Sequence, residues 1–143
     1  MKRLHKILLT ASLGLLATSS LQANAVAEAA ALDVKKVCDV GANGLDAVLA
    51  TAAKYNKAAK EQGIEFKRLG ITNSIYISDT TAAAKAKKKE TVLNYKSKGK
   101  KKTKKFSTDY AAWRACSFAI RALQQKHEAE STWRLAVPGD GFK

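Results

Sequence analysis

Hydrophobic residues recur with a helical period between Gly44 and Gln62. They return every three to four positions, and charged residues fill many of the positions between them. This spacing places the apolar side chains on one face of a helix. We predict a helix that Asn43 caps and that Gly63 ends. Its buried face should consist of Leu45, Val48, Leu49, Ala52, Tyr55 and Ala59.

The period shortens to two in the next stretch, which is typical of strands. Apolar and polar residues alternate over much of Ile64–Leu69 and again over Ser74–Asp79. We predict a strand in each of these two ranges, with a turn around Gly70–Asn73 between them.

A second helical pattern begins at Ser107 or Thr108, and Asp109 lies in its first turn, where a negative charge stabilises a helix. We predict a long helix there. Phe118 lies off its apolar stripe, which indicates either a second buried side or an exposed aromatic ring. The stripe itself consists of Ala112, Trp113, Cys116, Ala119, Ile120, Leu123 and His127.

The N-terminal residues 1–25 have the organisation of a secretory signal peptide. A basic start is followed by the apolar run Ile7–Ala17 and by small residues at Ala23 and Ala25. We predict cleavage before Val26 and a bacterial periplasmic or secreted protein, residues 26–143, with no transmembrane span after processing. The Ala-rich segment Val26–Leu32 predicts a short helix or a frayed leader.

The C-terminal segment Ser131–Lys143 carries Trp133, Leu135 and Val137 at alternate positions. This alternation predicts a short strand, and the residues 138–141 that follow it have the composition of a turn.

Two cysteines, Cys38 and Cys116, fall within the predicted exported domain. An even count in an exported protein predicts one disulfide, and their wide separation argues against a C-x-x-C redox pair. The sequence therefore predicts a single α+β domain: a helix, two strands, a lysine-rich hairpin or loop, a long helix and a short tail, stapled by that disulfide.

The segment Lys85–Lys105, here called the lysine block, holds eleven lysines and a single acidic residue, Glu90. Its net charge is +10, whereas the whole chain carries +14. The basicity is thus concentrated in one place, and a local feature of this kind points to a site. The lysines are Lys85, Lys87, Lys88, Lys89, Lys96, Lys98, Lys100, Lys101, Lys102, Lys104 and Lys105.

Three conformations of the lysine block are compatible with its sequence. Thr91–Ser97 is rich in residues that favour strands, and Lys98–Gly99 can turn the chain into Lys100–Ser107, which predicts a hairpin. Good helix formers over Ala82–Leu93 favour a helix instead. Repulsion among the lysines favours a solvated loop.

Few residues of the chain suggest catalysis or metal binding. The segment from Asp39 begins like a calcium loop but has Gly41 and Ala50 where oxygen ligands are needed. His127, the one histidine after residue 25, is better explained by packing or helix capping than by general-base catalysis. We therefore predict no enzyme activity, no metal and no small-molecule cofactor.

The eleven cations are all lysines, which act as point charges and suit diffuse anionic surfaces. We predict an exported basic protein that binds lipopolysaccharide or anionic lipid, a cell-wall polymer, a glycosaminoglycan or, non-specifically, nucleic acid through the lysine block. Tyr95 joins the lysines as a candidate binding residue, and Phe106, Tyr110 and Trp113 flank them, although packing in the core is the favoured role of Trp113. The alternative is a protein-interaction module, such as an inhibitor, an immunity-like protein or an assembly factor, that binds an acidic partner.

Overall fold

Helices alternate with two small antiparallel hairpins in residues 24–136, the part of the chain that the computed structural model describes. The predicted α+β class is confirmed. In chain order the elements are α1 (24–30), α2 (Val34–Val37), α3 (Val40–Asn43), α4 (Leu45–Glu61), β1 (Lys67–Arg68), β2 (Ile71–Thr72), α5 (Asn73–Lys85), β3 (Glu90–Ser97), β4 (Lys100–Ser107) and α6 (Thr108–Ala136).

The core lies between α4 and α6, and most of the two predicted apolar faces meet there. The second stripe is wrong at two positions, because Trp113 and His127 are exposed. The buried side of the first turns of α6 is filled by small residues, which leaves the Trp113 ring at the surface. These residues are Ala111, Ala112 and Ala115.

The predicted disulfide between Cys38 and Cys116 is confirmed, with a Cα–Cα distance of 5.7 Å. Both cysteines are fully buried. The bond joins the end of α2 to the middle of α6, so it fixes the N-terminal short helices onto the long C-terminal helix.

Residues 73–85 form helix α5, so the predicted strand Ser74–Asp79 is wrong. The alternating isoleucines suggested a strand, but the residues that are actually buried recur every three to four positions. Most of them carry polar groups and do not contribute to a purely apolar pattern. Thr72 caps the helix by accepting a hydrogen bond from the Ile75 N–H. The buried set is Asn73, Tyr76, Thr80 and Ala83.

The first predicted strand, Ile64–Leu69, is reduced to Lys67–Arg68, which pairs with Ile71–Thr72. Gly70 lies in the turn with φ of 87°. A Cβ atom on this glycine would collide with the carbonyl oxygen of Lys96. The turn therefore packs closely against the second hairpin, and only glycine fits there.

The second hairpin, Glu90–Ser107, is here called the hairpin arm. Its turn is formed by Lys98 and Gly99, whose φ angles of 50° and 76° are the positive values that a two-residue hairpin turn requires. The predicted hairpin is thus confirmed. The competing helix over Ala82–Leu93 is wrong, because α5 ends at Lys85.

The base of the hairpin arm is held by buried threonines. The Thr108 N–H donates to the carbonyl oxygen of Lys89 (2.8 Å), and the Thr91 hydroxyl lies 3.2 Å from the Thr108 hydroxyl. Further along β3, the Asn94 N–H donates to the carboxylate of Asp79 on α5 (2.8 Å). The arm is therefore anchored at its base and along one edge.

A network of polar side chains fixes α5 between the two long helices. The buried Asn73 amide donates to the Asn56 side chain (3.0 Å) and to the Ala115 carbonyl (2.9 Å). Asn56 and the Ser74 N–H in turn donate to Glu65. Burial favours the protonated acid, but these hydrogen bonds outweigh it and hold the pKa of Glu65 below its usual value.

Asn43 does not cap α4, contrary to the prediction, since Gly44 precedes that helix without a side-chain cap. Asn43 ends the one-turn helix α3, which the sequence pattern did not reveal. Its amide donates to the carbonyl oxygens of Lys36 (2.7 Å) and Asp39 (3.0 Å), and so ties α2 to α3. The end of α4 before Gly63 is confirmed.

The chain remains helical towards both limits of the described range. Residues 24–30 are helical, which supports the short helix predicted near the N-terminus. Residues 131–136 continue α6, so the strand predicted there is wrong; the hydroxyls of Ser131 and Thr132 donate to the Glu128 carbonyl instead (2.8 Å each). Val137, the predicted turn at 138–141 and residues 1–23 of the predicted signal lie outside this range. No helix between residues 24 and 136 has the length and apolar character needed to span a bilayer.

Candidate functional site

The structure divides the lysine block into a linker and the hairpin arm. Lys85 is the last residue of α5, and Lys87–Lys89 connect that helix to β3. All eleven lysines are exposed to solvent. The seven that lie on the hairpin arm are Lys96, Lys98, Lys100, Lys101, Lys102, Lys104 and Lys105.

The hairpin arm carries cations on both of its faces. Residues paired across the two strands share a face, and the buried Thr91 and Leu93 identify the face that turns towards the core. Lys100, Lys102 and Lys104 belong to that face, yet they are exposed. The opposite face carries Lys96, Lys101 and Lys105.

Little of this charge is neutralised by neighbouring acids. The Lys105 ammonium lies 3.0 Å from the carboxylate of Glu90. Between residues 24 and 136, no other lysine of the block lies within 4.0 Å of a carboxylate. Among the described residues, six of the seven arm lysines therefore have no acidic partner at that distance.

Two of these lysines, Lys96 and Lys101, face each other directly across the strands. Because the Asn94 N–H points away from β4 towards Asp79, Asn94 and Thr103 form a non-hydrogen-bonded pair. Lys96 and Lys101, two residues further on, form the same kind of pair, in which the side chains are closest. Like charges opposite each other destabilise a hairpin by roughly 0.2–1 kcal/mol, and a bound anion would replace this repulsion with attraction.

Two lysines of the block occupy backbone conformations that favour glycine. Lys98 in the hairpin turn and Lys87 after α5 have φ of 50° and 51°. The N–H groups of Lys87 and Lys88 bond to the Ala84 and Ala83 carbonyls (2.9 Å each), a helix ending in which glycine is usual. The left-handed conformation costs a lysine about 1 kcal/mol. Lysine is thus present at two positions where glycine would avoid this conformational cost.

The outer edge of β4 has no neighbouring strand within the described residues. From the pairing geometry, the N–H and C=O groups of Lys101, Thr103 and Lys105 face away from β3. An edge of this kind can accept a further strand, and lysines commonly discourage that pairing.

Tyr95 is half-buried and packs against the core from the middle of the hairpin arm. It also lines a shallow groove whose rim is basic. The other residues of the groove are Ile75, Asn94, Lys96, Lys101, Lys102 and Thr103. Tyr95 is thus next to the lysines, as the sequence analysis assumed, with part of its ring available to a ligand.

Arg114 lies among aromatic rings at the junction of the hairpin arm with α6. Its guanidinium is 5.0 Å from the Phe118 ring and 5.8 Å from each of the Tyr76, Phe106 and Tyr110 rings. Burial raises the pKa of the Tyr76 hydroxyl, so that side chain stays neutral. A basic residue inside a sequence rich in aromatics is the one signal that could have revealed this cluster.

A second groove, largely apolar, lies away from the lysine block between residues 64–66 and α6. Phe118, which lies off the apolar stripe, stacks there on Phe66 with ring centroids 3.7 Å apart. Over residues 24–136 no group of three or more histidine, cysteine or acidic side chains is arranged to hold a metal ion.

Comparison with protein families, with curated proteins and with solved structures gives no match to this chain.

Proposed function

We propose that the protein is an exported, non-enzymatic binding protein whose lysine block engages an anionic envelope or host component. The partner would be an anionic polymer or an anionic lipid surface. The observation that carries the proposal is the set of six lysines on an anchored two-stranded arm for which residues 24–136 provide no carboxylate within 4.0 Å. Two of them oppose each other directly, and Lys98 adopts a conformation that lysine disfavours.

These features support binding because they lower stability without improving the packing of the core. Repulsion between Lys96 and Lys101 and the left-handed conformation of Lys98 both oppose folding. A polyanion would neutralise the repulsion, and an arm that is already folded would lose little conformational entropy on binding. Lysines without arginine suit a ligand that is read by charge density rather than by bidentate hydrogen bonds.

A salt titration tests this proposal. We expect the purified protein to bind heparin, a single-stranded oligonucleotide and anionic vesicles at low salt, with log affinity falling linearly against log salt. If about six lysines contact phosphates, affinity for the single-stranded oligonucleotide should fall by roughly 300-fold between about 50 and 200 mM salt. Absence of binding to all three ligands at low salt would contradict the proposal.

Export is a separate part of the proposal. It is supported by the signal-like pattern of residues 1–25 and is consistent with the disulfide, because such bonds persist in oxidising compartments. We expect the mature protein to begin at Val26. N-terminal sequencing of the protein from the native cell envelope and culture medium tests this, and a product that still begins at Met1 would contradict export by this route.

The free edge of β4 favours a second candidate function, the binding of an acidic partner protein. An extended acidic segment could pair with the outward-facing groups of Thr103 and its neighbours while its carboxylates meet the lysines. This candidate predicts capture of one acidic protein in a pull-down together with no general affinity for heparin, oligonucleotide or vesicles. The salt titration therefore discriminates between the two candidates.

A further inference from the structure

A strip of aromatic rings continues from the lysines of β4 onto α6. The Lys104 ammonium lies 5.2 Å from the centre of the Phe106 ring. The Phe106 and Tyr110 ring centroids are 5.6 Å apart, and those of Tyr110 and Trp113 are also 5.6 Å apart. These three residues are here called the aromatic strip. Because α6 begins directly after β4, the strip is continuous with the basic strand.

The outer part of the aromatic strip is open to solvent. Tyr110 is 42% exposed and Trp113 is 36% exposed, and their rings are stacked with an interplanar angle of 29°. Two adjoining exposed rings leave apolar area in water that burial would stabilise. The arrangement therefore needs an explanation other than packing.

Arg114 contacts two of the three rings of the aromatic strip, those of Phe106 and Tyr110. Its guanidinium donates a hydrogen bond to the Tyr110 hydroxyl (3.0 Å) and lies 5.8 Å from both the Tyr110 and the Phe106 rings. The Tyr110 ring therefore has a fixed orientation before any ligand arrives. Binding to such a preformed platform requires little ordering of side chains.

Exposed aromatic rings beside a basic strand are the combination that binds single-stranded nucleic acid. Bases stack on the rings, and the phosphates that connect them contact the cations. Lys102 and Lys104 share the face of the hairpin arm that bears Phe106, so these two cations and the first ring of the strip lie on the same side. Polyphosphate offers no flat ring and would leave the aromatic strip unused.

We propose that the aromatic strip is a base-stacking subsite and that the polyanion is a single-stranded nucleic acid bound without sequence preference. This inference rests on the proposed function, since the β4 lysines supply the phosphate contacts. Duplex DNA is expected to bind less tightly than a single strand, because its bases are already stacked. Sequence preference should be weak, because lysines are not forked donors that read base edges.

Trp113 fluorescence provides a direct test. The chain has two tryptophans, so the Trp133→Phe variant isolates the signal of Trp113. We expect oligo-dT to quench this fluorescence and polyphosphate to leave it unchanged. The further change Trp113→Ala should weaken oligo-dT binding by at least about fivefold, which corresponds to the lower end of the roughly 1–3 kcal/mol per stacked base, and should not alter polyphosphate binding.

Trp113→Phe is the matched control, because it keeps a flat ring and should retain most of the affinity for oligo-dT. A melting curve for each variant shows whether the fold is intact. Unchanged oligo-dT affinity in Trp113→Ala, or an equal loss for polyphosphate, would overturn the stacking subsite. A loss confined to heparin would also overturn it, in favour of a saccharide ring. Failure of the unchanged protein to bind any polyanion would instead refute the proposed function itself.

Discussion

Replacing Lys96, Lys100, Lys101 and Lys102 by glutamine is expected to produce a large loss of polyanion affinity while the fold survives. All four are exposed, and in the described part of the chain none has a carboxylate within 4.0 Å. A lysine near an anionic surface contributes about 1 kcal/mol to the free energy of binding, so loss of four lysines corresponds to roughly 10³-fold weaker binding. The slope of log affinity against log salt should become shallower by about three, at roughly 0.7–0.9 per lost phosphate contact.

The matched control replaces four other lysines by glutamine. These lysines are also exposed and lie outside the lysine block: Lys35, Lys36, Lys57 and Lys60. It changes the net charge by the same amount, so it separates a local site from a general effect of charge. We expect the control to retain most of the affinity and the salt slope. Equal losses in the two variants would mean that net charge is the cause and that the lysine block is not a site.

The four glutamine substitutions on the hairpin arm should leave the stability of the fold unchanged or slightly higher. Solvated lysines make weak contacts, and removal of the Lys96–Lys101 pair relieves a repulsion of roughly 0.2–1 kcal/mol. A thermal melt of each variant measures this. If the arm variant melted well below the control, these lysines would have a structural role that the geometry does not suggest.

Apolar periodicity was sufficient to predict the parts of the fold that bury apolar residues on one face. Helix α4 and most of α6 follow their stripes, and the disulfide follows from two cysteines in a chain with a predicted signal. The sequence predicted the hairpin arm as one of three possible conformations of the lysine block. The strand propensities and the Lys98–Gly99 turn both favour this conformation, which the structure has. Local signals were consistent in the two long helices, whereas in the hairpin arm the strand and turn signals prevailed over the competing helix formers and charge repulsion.

Helix α5 could not be predicted, because its buried face is built from polar side chains. Asn73 is fully buried only because Asn56 and the Ala115 carbonyl satisfy its amide donors, and both partners are distant in sequence. Without those contacts the alternating isoleucines were the strongest local pattern. In the sequence-based prediction this alternation outweighed the helix propensity of the segment, whereas in the structure the segment is helical.

The candidate site was predicted in part. The lysines are evident from composition, whereas their arrangement on two faces of the hairpin arm depends on the pairing register. The aromatic strip was assigned in part to the core, because Trp113 was one of the residues of the predicted apolar stripe, although it is exposed. Trp113 is exposed because small alanines fill the buried side of that turn. A helical period of 3.6 residues does not by itself show which residues of the turn are buried.

Removal of the disulfide is expected to have the largest effect on stability. The bond joins cysteines 78 residues apart, and closing a loop of that length stabilises the folded state by about 4–5 kcal/mol on the chain-entropy model. The variant Cys38→Ala with Cys116→Ala should therefore melt roughly 16–30 °C lower, at about 4–6 °C per kcal/mol for a domain of this size.

Reduced wild-type protein is the matched comparison for this double variant, because it keeps both sulfur atoms in the core. Similar destabilisation in the two would assign the loss to the covalent bond, and a much larger loss in the alanine variant would assign it to packing around the buried sulfurs. Intact mass before and after reduction, differing by two hydrogens, verifies the bond in the native protein.

Below its melting temperature the double variant should still bind a polyanion at low salt, because the lysines of the hairpin arm do not contact the disulfide and the arm is anchored separately through Thr91, Thr108 and Asp79. Loss of binding in a variant that is still folded would mean that the arm depends on the stapled core, and separate anchoring would then be wrong.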